Sequence, residues 1–179
     1  MKPRPSRLSS PQHTFAENQM PYAAQTPDDL LPRSEILGMS GLTFMQRVLK
    51  GEIAGAPIAA TLNFNLLEVE EGRVRFCGTP EFSAMNPSGA VHGGWYGALL
   101  DSALGCAVMT KVPQGSVYTT LEYKVNITRA IPLGMFVHCD ALVDHAGRTT
   151  SVAHGEIRGA EDGKLYATGS TTCIIMKPG

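Results

Sequence analysis

The feature that most constrains the fold is a stretch of fifteen residues, 95–109, that is almost entirely apolar. It is rich in alanine and leucine, has little β-branching, and contains a single charged residue, Asp101. This composition predicts a helix that is apolar on most of its sides. Such a helix needs cover on most sides, and a curved sheet wrapped around it would supply that cover.

The segments on either side of this helix predict an antiparallel sheet. A short amphipathic helix at residues 42–49 is followed by two apolar stretches with a turn between them, which predicts a hairpin. The expected strands span residues 60–69, 73–77, 117–128, 135–144, 148–158 and 164–176, and the four that follow the helix are joined by short turns and expected to form a meander. The predicted class is therefore α+β, with the central helix packed on one face of the sheet.

The first 35 residues have a different composition from the rest of the chain. They hold six of the twelve prolines and show no apolar periodicity. Such a segment cannot bury enough apolar surface on its own to offset the entropy cost of ordering it. We therefore expect residues 1–35 to be a flexible N-terminal extension, unless they dock on the domain or on a partner subunit, and residues 36–179 to form the folded domain.

Charge and cysteine content limit the classes of partner and compartment. Fifteen Lys and Arg stand against sixteen Asp and Glu, and a formal net charge of −1 gives no electrostatic case for nucleic acid or an anionic membrane as partner. No apolar run is long enough to span a bilayer, and no signal-peptide core follows the N-terminus. The four cysteines lack metal-ligand spacing. We expect a cytoplasmic protein that uses no metal and no cofactor.

The loop that leads into the apolar helix carries the chemistry that this sequence offers. Gly93 and Gly94 lie where the loop becomes the helix, where backbone N–H groups lack helical partners and attract negative charge. Because glycine has no side chain, a ligand carbonyl can approach these groups closely, which is the geometry of an oxyanion hole. His92 can orient the loop or donate a hydrogen bond, and Asn86 offers an amide that can hold a carbonyl or a water.

Asp101 follows Gly93 by eight residues, about two helical turns, and so falls near the same face of the helix. A lone carboxylate in an apolar helix is costly unless it has partners or a task. It could activate water or attack an acyl group itself. Each residue taken alone also fits a structural role in a turn, in close packing or on the surface. Their combination favours a catalytic site.

The same segment carries a family resemblance. The stretches NPSGAVHGG at residues 86–94 and LLDSALG at residues 99–105 resemble the hotdog thioesterases of the phenylacetate-degradation (PaaI-like) group. The resemblance covers about residues 40–176, and its specific part is the spacing from Asn through His-Gly-Gly to Asp. It implies the hotdog fold, in which an antiparallel sheet wraps around a central helix. It also implies that two subunits pair edge to edge, with the active site between them.

The resemblance further implies a role for each residue of the motif. The Gly93 amide would polarise the thioester carbonyl, and Asp101 of the facing subunit would be the general base for water or the nucleophile. Asn86 would position the water or the thioester, and His92 would support the loop. Thr120 falls where related enzymes carry a hydroxyl group that can hold the water.

Two further points concern the strand after the helix and the coenzyme. Thr119 lies beside Thr120, and a slip of one residue would exchange the faces of the strand on which they lie. We expect Thr120 to be the functional one. Gly94 is expected to contact the substrate together with a few basic residues. The basic candidates for the CoA phosphates, chosen because they lie at the ends of predicted elements, are Arg129, Arg148 and Lys111.

The predicted function is therefore hydrolysis of an acyl-CoA thioester to free acid and CoA, by a homodimer or a dimer-of-dimers tetramer. One alternative is a hotdog dehydratase or hydratase acting on acyl thioesters, but those enzymes place a His and a carboxylate in a different motif. The other is a non-catalytic hotdog module that binds acyl-CoA. A sensor of this kind would tolerate loss of the carboxylate, yet Asp101 is present. A sensor that also binds DNA is disfavoured because residues 1–35 contain no helix-turn-helix pattern.

Overall fold

A single six-stranded antiparallel sheet dominates the computed structural model, which describes residues 21–178. Neighbouring strands pair in the order β1-β2-β4-β5-β6-β3, so β1 and β3 are the two edges. The strands are β1 (Phe64–Glu70), β2 (Arg73–Gly78), β3 (Val117–Ile127), β4 (Val137–Ala146), β5 (Thr150–Gly159) and β6 (Leu165–Met176). The antiparallel strands predicted from the sequence are thus confirmed, but the expected meander is wrong at β3, which pairs with β6 and not with β4, the strand that follows it in the chain.

One long helix lies against one face of this sheet and contacts all six strands. The helices are α1 (Arg33–Leu37), α2 (Gly41–Leu49), α3 (Pro57–Thr61) and α4 (Gly93–Met109). Helix α4 is the predicted central helix and is apolar on most of its sides. The α+β class and the hotdog arrangement are therefore confirmed.

Burial explains why the sheet and α4 fold together. Along β5 the side chains alternate between buried and exposed positions, so one face of the sheet is apolar. The α4 side chains with no exposed surface that pack against this face are Leu99, Leu100, Ala103, Leu104, Ala107 and Val108. Burying one leucine side chain stabilises the folded state by about 2 kcal/mol, so α4 and the sheet stabilise each other.

The first strand begins later than the sequence predicts. Residues 60 and 61 belong to α3, and β1 starts at Phe64. Between them lies Asn63, whose φ of 53° is in the left-handed region that asparagine tolerates better than most residues. Its side chain Nδ2 donates to the Thr79 carbonyl at 3.0 Å and to Glu81 at 3.1 Å. The prediction of a strand from residue 60 was therefore wrong at its start.

The chain from residue 21 packs on the domain. The Ala24 N–H donates to the Gly55 carbonyl at 3.0 Å, and the Gly55 N–H donates to the Tyr22 carbonyl at 2.7 Å. Ala24 is buried. The first twenty residues lie outside the described part of the chain, so the boundary predicted at residue 35 stays a prediction. None of the helices within residues 21–178 is long and apolar enough to cross a membrane.

Candidate active site

The first turn of α4 is capped by His92. The His92 Nδ1 atom accepts a hydrogen bond from the Gly94 N–H at 2.8 Å, which requires the neutral ring with its proton on Nε2. The Gly94 amide is therefore occupied by the cap. The Gly93 N–H has no partner among residues 21–178, and Gly93 is exposed. Of the two amides that the sequence proposes as oxyanion donors, Gly93 is the one left open.

Asn86 organises the loop that leads to this helix start. Its Oδ1 atom accepts from the Ser88 N–H at 3.0 Å, the Ser88 hydroxyl at 2.7 Å and the Ala90 N–H at 3.1 Å. Three donors around Oδ1 fix the orientation of the amide. The Nδ2 donors have no partner among the described residues. The free end of Asn86 can therefore donate to a carbonyl or a water.

Asp101 and Thr120 form a second polar group, two turns further along α4. The Thr120 hydroxyl donates to Asp101 Oδ1 at 3.3 Å, and both residues are half-buried. Thr119 is exposed on the other face of β3. The pairing of β3 with β6 is shifted between Thr120 and Glu122, an irregularity of the kind often found beside active sites. The structure thus brings Thr120, and not Thr119, to Asp101.

These two groups do not meet within one chain. Gly93 and Asp101 are eight residues apart on one helix, a distance of about 12 Å along its axis. A reacting thioester carbonyl must lie within about 3 Å of its oxyanion donor and of the attacking group. The amide of Gly93 and the carboxylate of Asp101 in one chain therefore cannot act on the same carbonyl.

A cavity of about 450 Å³ opens beside Asp101 and Thr120. Its remaining walls come from α2, α3, β1, Phe76 of β2 and the segments at residues 21–30 and 54–56, and they are mainly apolar. The sequence analysis missed this cavity, because these segments are separated in the chain and carry no motif. The helical spacing of the apolar side chains in α2 was the available signal, and it predicts burial rather than a cavity.

Two neutral groups line the cavity near the carboxylate. Burial, reinforced by the negative charge of Asp101, raises the pKa of the Cys106 thiol to about 12. Burial also raises the pKa of the Tyr118 phenol well above its ordinary value, and nearby Cys106, Cys173 and Asp101 add to the effect. Cys106 is thus protonated at neutral pH and a poor nucleophile. Asp101 is the group here with the charge and access to act on water.

The basic residues proposed for CoA lie at opposite ends of the sheet. Arg129 follows β3, and its N–H donates to the Tyr166 carbonyl near the start of β6. Arg148 is in the turn between β4 and β5, where the next residue accepts a hydrogen bond from Ile175 near the end of β6. Both guanidinium groups are exposed and form no ion pair within residues 21–178. Lys111 is paired with a glutamate at 2.8 Å.

The aromatic residues at the start of α4 belong to the core. Trp95 Nε1 donates to the Leu62 carbonyl at 2.8 Å, and the Tyr96 hydroxyl accepts from the Ile131 N–H at 2.7 Å. Both rings are buried. Across residues 21–178, no three His, Cys, Asp or Glu side chains are grouped so that they could hold a metal ion.

Comparison with known proteins places this geometry in context. Residues 88–166 match the family model of the thioesterase superfamily. The phenylacetic acid degradation-related protein of Ralstonia eutropha superposes with a TM-score of 0.66 and 28% identity, covering 73% of this chain and 98% of its own. A mutant of the phenylacetic acid degradation protein PaaI from Thermus thermophilus superposes with a TM-score of 0.61 and 25% identity. The match covers 66% of this chain and 97% of the Thermus protein.

A third structure has the same fold at lower identity. A Streptococcus mutans protein solved with acetyl CoA bound is 24% identical, with a TM-score of 0.59 over 64% of this chain and 90% of its own. No curated protein sequence matches the chain significantly. The comparisons confirm the resemblance found in the motif at residues 86–105.

Proposed function

We propose that this chain, a PaaI-like hotdog thioesterase, hydrolyses the thioester bond of an acyl-CoA to give the free acid and CoA. Thioester hydrolysis in general follows from the family, whereas the substrate and the catalytic residues are our inference. The observation that carries the inference is the contact between Thr120 and Asp101 at the edge of a cavity large enough for an acyl group.

The chemistry follows from the free atoms of these side chains. The Thr120 hydroxyl occupies Oδ1 of Asp101, which leaves Oδ2 to accept a proton from a bound water. The resulting hydroxide adds to the thioester carbonyl carbon, and the oxyanion is stabilised by the Gly93 N–H, a donor that contributes about 3 kcal/mol in such sites. The carbon–sulfur bond then breaks, and the departing CoA thiolate takes the proton from Asp101. Direct attack by Asp101 on the carbonyl is the alternative first step.

A complete site of this kind requires two copies of the chain. Because Gly93 and Asp101 of one chain are about 12 Å apart, the oxyanion donor must come from a second subunit. The edge strand β3 exposes apolar side chains that a second copy could cover, including Leu121, Tyr123 and Ile127. We therefore propose a homodimer that pairs along β3, with a tetramer built from such dimers as an alternative.

The register of this pairing is suggested by the contacts of β3. Ile127 lies beside Gly93, since a methyl group added there would meet Ile127 Cδ1 at 3.5 Å. Thr120 lies beside Asp101. An antiparallel pairing of two β3 strands about an axis near Tyr123 sets Ile127 of one chain opposite Thr120 of the other. The helix start of one subunit then approaches the carboxylate of its partner.

Binding of the CoA part is assigned to the helix-start end. Arg129 lies at the same end of the sheet as Gly93 and has no ion-pair partner among the described residues, so we favour it for the CoA phosphates over Arg148. The Streptococcus mutans structure with acetyl CoA shows that this fold can accommodate the coenzyme.

The test is a thiol-release assay on a panel of acyl-CoAs with the Asp101→Asn variant. We expect the variant to lose at least about 100-fold in kcat, because a general base contributes about 10²- to 10⁴-fold. The matched control is Asp144→Asn, an exposed carboxylate on β4 that should leave kcat unchanged. Wild-type turnover by Asp101→Asn would remove Asp101 from the mechanism. Binding of acyl-CoA without any thiol release by the wild-type protein would support a non-catalytic module instead.

A further inference from the structure

We propose that the cavity beside Asp101 binds an uncharged, apolar acyl group of medium length, and that residues 21–30 and α3 form the wall that limits this length. The proposal rests on the proposed thioesterase function, and it names the acyl class that the site accepts. It assigns specificity to a part of the chain that lies outside the residues matched by the family model, 88–166.

The cavity is polar on one side and apolar on the other. On the side of α4 and β3 it is lined by Asp101, Ser102 and Thr120. On the side of α2 and β1 its lining includes Phe44 and Leu66. A thioester carbonyl held at the carboxylate would therefore direct its acyl group towards α2 and α3, where apolar contact is available.

The charges around the cavity exclude an anionic acyl group. None of the described residues that line it is a lysine, an arginine or a histidine, and its one ionisable carboxylate is Asp101. A second carboxylate on the substrate would be desolvated without a cationic partner and would be repelled by Asp101. Dicarboxylic acyl groups should therefore bind much more weakly than alkyl or aryl groups of the same size.

The volume sets the length of the acyl group. A water-sized group takes up about 30 Å³, so a cavity of 450 Å³ holds on the order of a dozen non-hydrogen atoms. This corresponds to roughly eight to twelve acyl carbons, or to an aryl group with a short linker. An acetyl group would leave most of the apolar wall without contact.

The far wall is made by segments near the N-terminus. Tyr22, Leu30 and Ile58 line the cavity and keep exposed fractions of 50%, 45% and 47%, so the wall they form reaches the surface. The backbone hydrogen bonds that Gly55 makes with Tyr22 and with Ala24 hold the segment against the start of α3. This wall limits how far an acyl chain extends before it emerges into solvent.

The first test measures binding without hydrolysis. Calorimetric titration with thioether analogues, S-ethyl-, S-butyl-, S-octyl- and S-(3-carboxypropyl)-CoA, needs no turnover. We expect affinity to rise about threefold to fourfold per methylene up to the octyl analogue, since one buried CH₂ is worth about 0.8 kcal/mol. The carboxypropyl analogue should bind at least about tenfold more weakly than the butyl analogue. Affinity that does not depend on chain length, or equal binding of the carboxylate, would overturn the proposal.

The second test narrows the cavity at α3. Ala59 lines it, whereas Ala60, its neighbour on the same helix, is exposed and does not. Ala59→Phe should weaken S-octyl-CoA binding by at least about tenfold and S-ethyl-CoA binding by less than about twofold. The matched control Ala60→Phe should change neither affinity. Equal loss of both ligands in Ala59→Phe would contradict the proposed acyl wall.

A further variant tests the acyl wall if a thermal unfolding assay shows that Ala59→Phe does not fold. Leu30→Ala removes an apolar contact from the far wall and should lower the octyl-to-ethyl affinity ratio by about threefold or more. An unchanged ratio would overturn the role of residues 21–30. Binding that depends on alkyl-chain length, without thiol release, would contradict only the proposed hydrolase function. Thiol release together with binding that does not depend on chain length would contradict only this inference.

Discussion

At the scale of single residues, Thr120 offers a direct test of the site, because its hydroxyl group links β3 to the carboxylate of Asp101. Thr120→Val removes the hydroxyl and keeps the shape of the side chain. A hydrogen bond to a charged group is worth about 1.5–3 kcal/mol, so we expect kcat to fall about 10- to 100-fold. Thr120→Ser should stay close to wild type. The measurement is steady-state thiol release across the three proteins.

The control for this prediction is the neighbouring residue. Thr119→Val makes the same chemical change on the exposed face of β3, where no contact with Asp101 exists. Its kcat should match that of the wild-type protein. Equal loss in Thr119→Val and Thr120→Val would mean that the effect comes from the strand rather than from the hydroxyl group.

His92 shows how far single residues could be assigned from the sequence. Its place before two glycines predicted a supporting role at the helix start, and the structure specifies the atoms, with Nδ1 accepting from the Gly94 N–H. The choice of Gly93 over Gly94 as the open amide came from the family resemblance and not from the residues themselves. It depends on which N–H the imidazole occupies, and that follows from the backbone conformation of the loop.

At the scale of elements, segments with a clear apolar pattern were predictable, whereas the five-residue helices α1 and α3 were not. The apolar composition of α4 and the alternation of β5 are dictated by burial, which the sequence records directly. Helix α3 has only five residues, too few for helical periodicity to show, and Ala60 within it and Leu62 just after it fit the alternation of the strand that follows. The chain changes from helix to strand at Asn63, which is set by local geometry rather than by pattern.

The packing of α2 on the end of α4 provides a prediction at this scale. A Cβ built on Gly41 would overlap the Met109 carbonyl oxygen, and the Gly41 N–H donates to the Val112 carbonyl at 2.9 Å. Because backbone atoms cannot move aside cheaply, Gly41→Ala should lower the free energy of unfolding by about 2 kcal/mol or more. Urea denaturation would measure this difference.

The matched control changes another glycine at a helix start. In Gly93→Ala the added methyl group meets only Ile127 Cδ1, at an ordinary contact distance of 3.5 Å. Its free energy of unfolding should stay within about 0.5 kcal/mol of the wild-type value. A tolerated Gly41→Ala would show that α2 can shift relative to α4, and hence that the cavity wall it carries is adaptable.

At the scale of the whole molecule, the proposed catalytic motif could be predicted from the sequence, whereas the cavity beside it was found only in the structure. The motif at residues 86–105 pointed to the chemistry because its residues are close in the chain. The cavity beside it is assembled from residues 21–76 together with parts of α4 and β3, and these are brought together only by folding. Its shape and charge therefore could not be predicted from composition or spacing.

The shared site makes a quantitative prediction about subunit mixing. Asp101→Asn and Asn86→Ala each disable a different half of the site, so each homodimer should be inactive. In a mixed dimer, one site combines the intact Asp101 of one subunit with the intact Asn86 of the other, and the second site carries both substitutions. Random reassociation of equal amounts gives half mixed dimers, so about a quarter of wild-type activity should return.

For the measurement, the two variants are co-expressed with different affinity tags, the mixed dimer is purified, and its thiol release is assayed. The purified mixed dimer should show about half of the wild-type activity per dimer. Two Asp101→Asn subunits carrying the same two tags provide the control and should stay inactive. Light scattering must show a dimer or tetramer in each preparation. Activity no higher than that of the separate variants would place Asp101 and Asn86 in the same chain's site. Since Gly93 and Asp101 are about 12 Å apart in one chain, that result would also remove the Gly93 amide from the reaction.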